Sequence, residues 1–371
     1  MNEKIRWLRE KLKNLNIQGM IISNPVNIRY LTNIKAEGTL LITRKENIYI
    51  TDSRYIEAVN SVVTIEDEII IMDIRNVSKE EYENFFMFCE RVGFEENYVT
   101  YNQYKNIMQK YKVNSLVETE DFLEKQRILK DNQEIKKIEQ ACKITDNCFS
   151  YLLKFIKKGM TEKEVALEIE KFFALNGAED ISFKPIVASG VNSSMPHAEP
   201  TDKTIKANEP IIIDMGCKYE GYCSDMTRTI FIESVPEEIK PIYNLVLKNQ
   251  VLTTKEIKEN MSIRVITKMV ENDFKLHNFD LIHSLGHGVR IRNPWSTIYK
   301  FIKWNHYKRK YGSYKWTGNL YSRKIWSKNR GYYISYKIWK YIFNKFWEKL
   351  YYNITLKIIL YVKNIKALIL A

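Results

Sequence analysis

The chain has 371 residues, 45% hydrophobic and 28% charged, with a formal net charge of +13. That length and balance suit two or three folded domains and exclude a disordered or fibrous chain. No apolar run reaches the roughly 18–20 residues of a membrane helix. The opening MNEKIRWLREKLKNLN is a charged amphipathic pattern rather than a signal peptide, and the five cysteines show no CxxC spacing. They read as free thiols, Cys217 and Cys223 included, in a reducing cytoplasm.

Residues 1–17 read as a helix with Ile5, Leu8, Leu12 and Leu15 on one side. GMIISNPVNIRYLTN gives a strand, a turn at Pro25 and a further short element. TLLITRKENIYIT reads as a hairpin around Arg44–Glu46. Alternating helical and apolar strand segments continue to about residue 118, so residues 1–125 form an α/β domain in which nothing looks catalytic.

A charged stretch without Gly or Pro follows, from about Glu118 to Leu153. Ile135, Ile138, Ala141, Ile144, Cys148 and Leu152 recur at helical spacing, with Asp131 as N-cap and Gly159 as the close. MTEKEVALEIEKFFALNGA is a second helix, with Thr161 before Glu162 and Glu164 as its start signal and Gly177 as its stop. Both helices are expected to cover a sheet. Ile186–Ala188 is a short strand, and Gly190 to Pro200 is a loop rich in Ser, Asn and Pro that carries His197.

The stretch Ile211–Ile232, IIIDMGCKYEGYCSDMTRTIFI, organises the rest. Two strand-like runs flank a Gly-containing loop, a hairpin signal. A tight turn centred on Tyr219–Glu220 would place Asp214 directly opposite Asp225, with Cβ atoms about 5 Å apart on one face. Like charges so close are kept where one is protonated or cations lie between them. Paired carboxylates around two cations roughly 3.5–4 Å apart are a hydrolytic arrangement; a solvated hairpin with two surface aspartates is the plainer alternative. Helix EEIKPIYNLVLKNQVLTTKEIKENM comes next. Then NFDLIHSLGHGVR sets His283 and His287 four apart, aligned if helical, or with only one at the site if the glycines make a strand or turn.

Charge breaks near residue 290. Residues 290–371 hold 19 Lys+Arg against one acid, Glu348, for +18, whereas residues 1–289 carry −5. The tail also holds 12 of the 24 tyrosines and six of the seven tryptophans.

The order of PHAEPTD (196–202), the Asp214–Asp225 pair and HSLGHG (283–288) resembles the creatinase/prolidase/methionine-aminopeptidase family of pita-bread metallopeptidases. The N-terminal half is similar to the creatinase-type domain of Xaa-Pro aminopeptidases and Xaa-Pro dipeptidases. The resemblance covers residues 1 to about 289 and implies an α+β protein: the creatinase-type domain over 1–125, then a pita-bread domain over 130–289, incomplete at its C-terminal end. It implies a metal-dependent exopeptidase cutting the bond before proline in proline-containing peptides. Asp214, Asp225 and His287 would be metal ligands, and His197 and His283 would line the substrate site. Two divalent ions are implied, Mn²⁺ first for an oxygen-rich site with one imidazole, then Co²⁺ or Zn²⁺. Relatives of this type are commonly homodimers.

The resemblance also calls for two glutamate ligands after the histidine, in an EPG segment and an R-x-E-D segment, and neither is present. Back-translating RIRNPWST and stepping one base permits G-L-E-I-H-(E or G)-A-P. The same step over NHYKRKYGSYKWTGNLYSRKIWSKNRG permits both glutamate segments, the first if Trp316 is encoded by TGA. Residues 290–371 therefore read as a frameshifted, poorly ordered tail, leaving three ligands of five and an impaired enzyme. Two other readings compete. The basic Tyr/Trp-rich tail could bind nucleic acid through phosphates and base stacking, although no module pattern organises it. The chain could also be a non-catalytic pita-bread binding protein.

Overall fold

The computed structural model describes residues 2–65, 68–128, 130–256 and 262–281, together with the short strand Leu360–Tyr361. The chain divides into two compact units, Met1–Arg127 and Ile128–Ala371.

Unit 1 opens with α1 (Glu3–Asn14), which buries Ile5, Leu8 and Leu12. Leu15, expected on that face, is instead the C-cap residue and is exposed, because the helix has ended before its side chain can turn inward. Strand β1 (Gly19–Ile22) leads into α2 (Pro25–Thr32). Pro25, read from sequence as a turn, occupies the first helical turn, where its missing N–H costs nothing; the Asn24 side chain caps the Val26 amide. The rest of the unit is β2 (Gly38–Ile42), β3 (Asn47–Thr51), α3 (Ser53–Asn60), β4 (Ile69–Asp73), α4 (Lys79–Asn84), β5 (Val92–Phe94), α5 (Tyr101–Tyr111), β6 (Leu116–Glu118) and α6 (Phe122–Gln126). One mixed sheet results, in the order β4-β3-β2-β1-β5-β6. The hairpin expected around Arg44–Glu46 joins β2 to β3, closing at Ile42↔Asn47.

Unit 2 begins with α7 (Asn132–Phe155) and α8 (Glu162–Leu175). Asp131 caps α7, accepting from the Gln133 and Glu134 amides while Glu134 returns a bond to the Asp131 amide. All six apolar positions that fixed the α7 period are buried. Gly159 and Gly177 sit at φ +93° and +85°, in the turns that precede and follow α8. Next come β7 (Asp180–Ile181), β8 (Ile186–Ser189), a 3₁₀ turn (Gly190–Ser194), β9 (Ile211–Met215), β10 (Cys217–Tyr219), β11 (Tyr222–Cys223) and β12 (Met226–Ile230). Helices α9 (Lys240–Glu256) and α10 (Ile263–Leu276), then β13 (Asp280–Leu281), paired antiparallel with β14 (Leu360–Tyr361), complete the described elements.

The core of unit 2 joins α7 and α8 to one side of the antiparallel sheet β12-β9-β8. Ile144, Cys148, Leu152, Val165, Ile169 and Phe173 from the helices meet Val187, Ile211, Ile213, Met215, Met226 and Ile230 from the strands. This is the helix-covered sheet expected from the periodicities. All five cysteines are free and buried. Among the described residues, no helix is long and apolar enough to cross a membrane.

Candidate active site

The hairpin that carries the two aspartates turns at Glu220–Gly221, whose φ angles are +45° and +90°. Positive φ at both central residues is the two-residue turn whose twist matches antiparallel strands. The Gly221 amide donates to Glu179 Oε2 at 2.9 Å, which ties the turn to the chain before β7. The pairs are Tyr219↔Tyr222 and Lys218↔Cys223, then Met215↔Met226 and Asp214↔Thr227. The expected direct opposition of Asp214 and Asp225 is therefore corrected. The turn is centred one position later than the sequence suggested, and each strand pairs two residues further along its partner.

The offset is the same on both sides of the interruption at 224–225, so no residue is bulged. Asp225 falls opposite Gly216, diagonal to Asp214, and diagonal neighbours lie about 7–8 Å apart rather than about 5 Å. A Cβ added at Gly216 would overlap the Ser224 carbonyl oxygen, so a glycine is what lets the strands approach here.

The direction of each side chain follows from its neighbours. Ile213 and Met215, which flank Asp214, both lie in the core against α7 and α8. Met226 lies there too, and the Ser224 hydroxyl is 2.6 Å from the Thr145 hydroxyl on α7. With a strand period of two, Asp214 and Asp225 both belong to the opposite side of the sheet. Asp214 is nevertheless only 2% exposed, and its Oδ1 accepts from the Thr227 hydroxyl at 2.8 Å. Oδ2 of Asp225 is shielded from solvent.

Beneath Thr227, the side chain of Arg228 is buried among the helices. Its guanidinium lies 5.6 Å from the centroid of the Phe149 ring, and Nη1 donates to the Thr227 carbonyl at 2.9 Å. Burial pushes Arg228 down and the Asp146 carboxylate opposes that; burial pushes Asp146 up and Arg228 opposes it in turn. Arg228 thus answers the backbone carbonyl of the residue that bonds Asp214.

His197 sits exposed in the loop between β8 and β9. The first half of that loop, residues 190–200, is bound at both ends by Glu162, a fully buried residue in the first turn of α8, which accepts from Ser189, Asn192 and Thr201. Sequence reasoning saw Glu162 only as part of a helix start. Its real partners are 27 and 39 residues away, beyond the reach of any local spacing. Thr227 was missed through the misplaced turn. His283 and His287 lie outside the described residues, as does the basic tail apart from Leu360–Tyr361.

Two carboxylates on one sheet face offer the hard oxygen donors a divalent cation takes, so Asp214 and Asp225 fit part of a metal centre. Among the described residues there is no group of three or more His, Cys, Asp or Glu able to hold a metal ion.

Comparison with known proteins agrees with this architecture. Residues 136–309 match metallopeptidase family M24, and residues 4–129 match the creatinase/prolidase N-terminal domain. The chain is 34% identical over 292 residues to the uncharacterized peptidase YqhT of Bacillus subtilis, covering 77% of this chain and 82% of that protein. It is 29% identical over 307 residues to an Xaa-Pro dipeptidase of Pyrococcus horikoshii, covering 81% and 85%. Among solved structures, an Xaa-Pro dipeptidase from Bacillus anthracis superposes with a TM-score of 0.72 at 31% identity, over 78% of this chain and 82% of that one. The prolidase from Pyrococcus horikoshii gives 0.71 at 28% identity, over 79% and 84%. The two family matches fall on the two units in turn, and the relatives cover most of both: the chain belongs to metallopeptidase family M24, a family of hydrolases, and carries a creatinase/prolidase-type N-terminal domain.

Proposed function

We propose that this chain derives from a metal-dependent Xaa-Pro peptidase of the dipeptidase or aminopeptidase type, acting on the bond before proline. The observation that carries the reading is the placement of Asp214 and Asp225 together on the sheet face turned away from α7 and α8. Asp214, Asp225 and His287 would hold the cations, with Mn²⁺ favoured by a mostly oxygen donor set. When bound, such cations supply an acidified water and an electrophilic pull on the amide carbonyl. The chain's own residues would do the rest. Thr227 keeps the Asp214 carboxylate aimed by donating to Oδ1, and His197 and His283 would donate hydrogen bonds to the scissile carbonyl. The relatives named Xaa-Pro dipeptidase support the substrate class.

The family's two later glutamates are absent from the sequence as it stands, and stepping one base in a back-translation from about residue 290 permits a string that contains them, the first if Trp316 is encoded by TGA. We therefore propose that this polypeptide binds metal weakly and turns over poorly. The test compares the 371-residue chain with a frame-restored version, each assayed with Mn²⁺ on an Xaa-Pro dipeptide and an Xaa-Pro tripeptide. The restored chain should hydrolyse at least one of them and the present chain should stay near background. Efficient Mn²⁺-dependent cleavage by the present chain would overturn the impairment. Failure of the restored chain on both peptides would overturn the peptidase reading.

A further inference from the structure

We propose that Glu162 is a positioning residue, locking the loop between β8 and β9 so that His197 is presented in one fixed attitude. This rests on the reading of His197 as a substrate-contacting imidazole, but its structural half stands apart from any reaction.

The carboxylate of Glu162 is a hub. Oε1 accepts from the Ser189 amide at 2.7 Å, the Ser189 hydroxyl at 2.9 Å and Asn192 Nδ2 at 3.1 Å. Oε2 accepts from Asn192 Nδ2 at 3.0 Å, the Thr201 amide at 3.1 Å and the Thr201 hydroxyl at 2.7 Å. Ser189 ends β8 and Thr201 lies midway along the connection to β9, so one side chain clasps both ends of the segment 190–200. Lys203 extends the network: its Nζ lies 2.8 Å from the Ser189 hydroxyl and 2.8 Å from Glu209 Oε1. Gly190, at φ +52°, packs so closely on Glu209 that any Cβ there would overlap Oε2.

Helix capping does not account for Glu162. The start of α8 is already served by Thr161 and Glu164, whose side chains each bond the other's amide. Glu162 sends its oxygens away from the helix amides and toward the loop, and it is fully buried to do so. Burial alone would push its carboxyl up. The bonds from Thr201 and Ser189 outweigh that and hold it below the usual carboxylate range, so it stays charged and keeps accepting. A buried charge answered by backbone amides, hydroxyls and a side-chain amide from two separated segments specifies one loop geometry. His197 lies near the far end of that clasped segment. Just beyond it Ala198 is buried, its amide 3.3 Å from the Met195 carbonyl. Glu162 therefore acts on His197 through the backbone.

The test uses the full chain and three variants. Glu162→Gln keeps the shape and removes the charge. Asn192→Ala removes one spoke from a half-buried position and guards against a Glu162→Gln protein that fails to fold. Glu164→Ala weakens the α8 cap without touching the clasp. Amide hydrogen exchange should quicken by about ten- to hundred-fold over residues 189–201 in Glu162→Gln, and by less in Asn192→Ala. The interior of α7 should not change. Glu164→Ala should loosen the start of α8 and leave the loop as it was. The ring ¹H–¹⁵N signal of His197, one of five histidines, should move or broaden in Glu162→Gln and Asn192→Ala only. Alanylproline should shift that signal in the parent chain and not in Glu162→Gln.

Unchanged loop exchange and an unchanged His197 signal in a folded Glu162→Gln or Asn192→Ala protein would overturn the proposal. So would equal loosening in Glu164→Ala. A parent chain whose His197 signal ignores alanylproline, with the loop still loosened by Glu162→Gln, would sink the substrate role of His197 and leave the clasp standing.

Discussion

Each unit of this protein buries a glutamate that answers the amides where the chain leaves a strand, and the two glutamates behave oppositely. In unit 1, Glu95 accepts from the Ser23 and Asn24 amides through Oε2 and from Asn27 Nδ2 through Oε1. In unit 2, Glu162 collects Ser189, Asn192 and Thr201, two hydroxyls among its donors. Burial pushes Glu95 up to about 7; the bonds from Asn27, Asn24 and Ser23 pull against it, and the nearby Glu124 charge adds to the push. Burial pushes Glu162 up as well, but its donors prevail and it ends below the ordinary range. Enclosure, the donors and the sign of the neighbouring charge decide together: Glu95 is the more completely enclosed by protein and faces Glu124, whereas Glu162 gathers donors from Thr201 and Ser189. The loop of unit 2 is held by an anion that persists near neutral pH, and the β1–α2 turn of unit 1 by a group that changes charge there.

The strongest way to break this comparison is to delete the anion of unit 2. Glu162→Ala strands the Ser189 and Thr201 amides, which are otherwise answered by one carboxylate. Leaving such groups buried without an acceptor should cost unit 2 about 3–4 kcal/mol. Hydrogen exchange read by mass spectrometry reports each unit separately, so the loss should appear in α7, α8 and β9 and not in β1 to β6. A loss below about 1 kcal/mol would mean that water replaces the carboxylate without penalty.

The second prediction concerns pH. An unfolded glutamate titrates near 4.3, and folded Glu95 near 7. The folded state therefore holds the proton more tightly. That contribution to the stability of unit 1 is fully present below about pH 4 and is lost as pH rises through about 7, a change on the order of 3 kcal/mol. Glu95→Gln keeps an oxygen for the Ser23 and Asn24 amides and should abolish this slope. Its amide also meets Asn27, whose Oδ1 is buried without a donor and can take the new N–H once that side chain turns. Exchange of unit 1 amides measured at pH 5 and pH 8 decides it: a slope surviving in Glu95→Gln assigns the proton elsewhere.

These two acids also mark how far the sequence could be read. Local periodic features were legible: the apolar stripe of α7, its Asp131 cap, the Thr161 start of α8 and the β2–β3 hairpin are each written within a few residues. Features set by backbone conformation at one residue were not. Pro25 looked like a turn because proline often makes one, whereas Asn24 as a cap makes it the opening of a helix. The aspartate hairpin was set one position early because the turn needs positive φ at Glu220 as well as Gly221, and a glutamate does not advertise that. Glu95 and Glu162 were invisible as hubs because their donors come from across the fold. The chemistry of the site was suggested by residue types and order, while the geometry that makes Thr227 the partner of Asp214 was recoverable only from the register.

The smallest predicted effect probes that register. Thr227 stands directly across from Asp214 and donates to Oδ1 at 2.8 Å, on a carboxylate that is 2% exposed. Thr227→Val keeps the branched shape suited to a strand and removes the hydroxyl. A hydrogen bond to a charged, buried acceptor is worth about 1.5–3 kcal/mol, so β9 and β12 should lose roughly 1.5–2 kcal/mol of protection against exchange. Thr227→Ser retains the donor and should lose well under 1 kcal/mol. With Asp225 in the opposing place, as the sequence first suggested, position 227 would be a neutral surface site, and Val, a better strand former there than Ser, would protect at least as well. The ranking of Val against Ser at this one position thus separates the two registers, and it does so in the chain as it stands, without metal and without substrate.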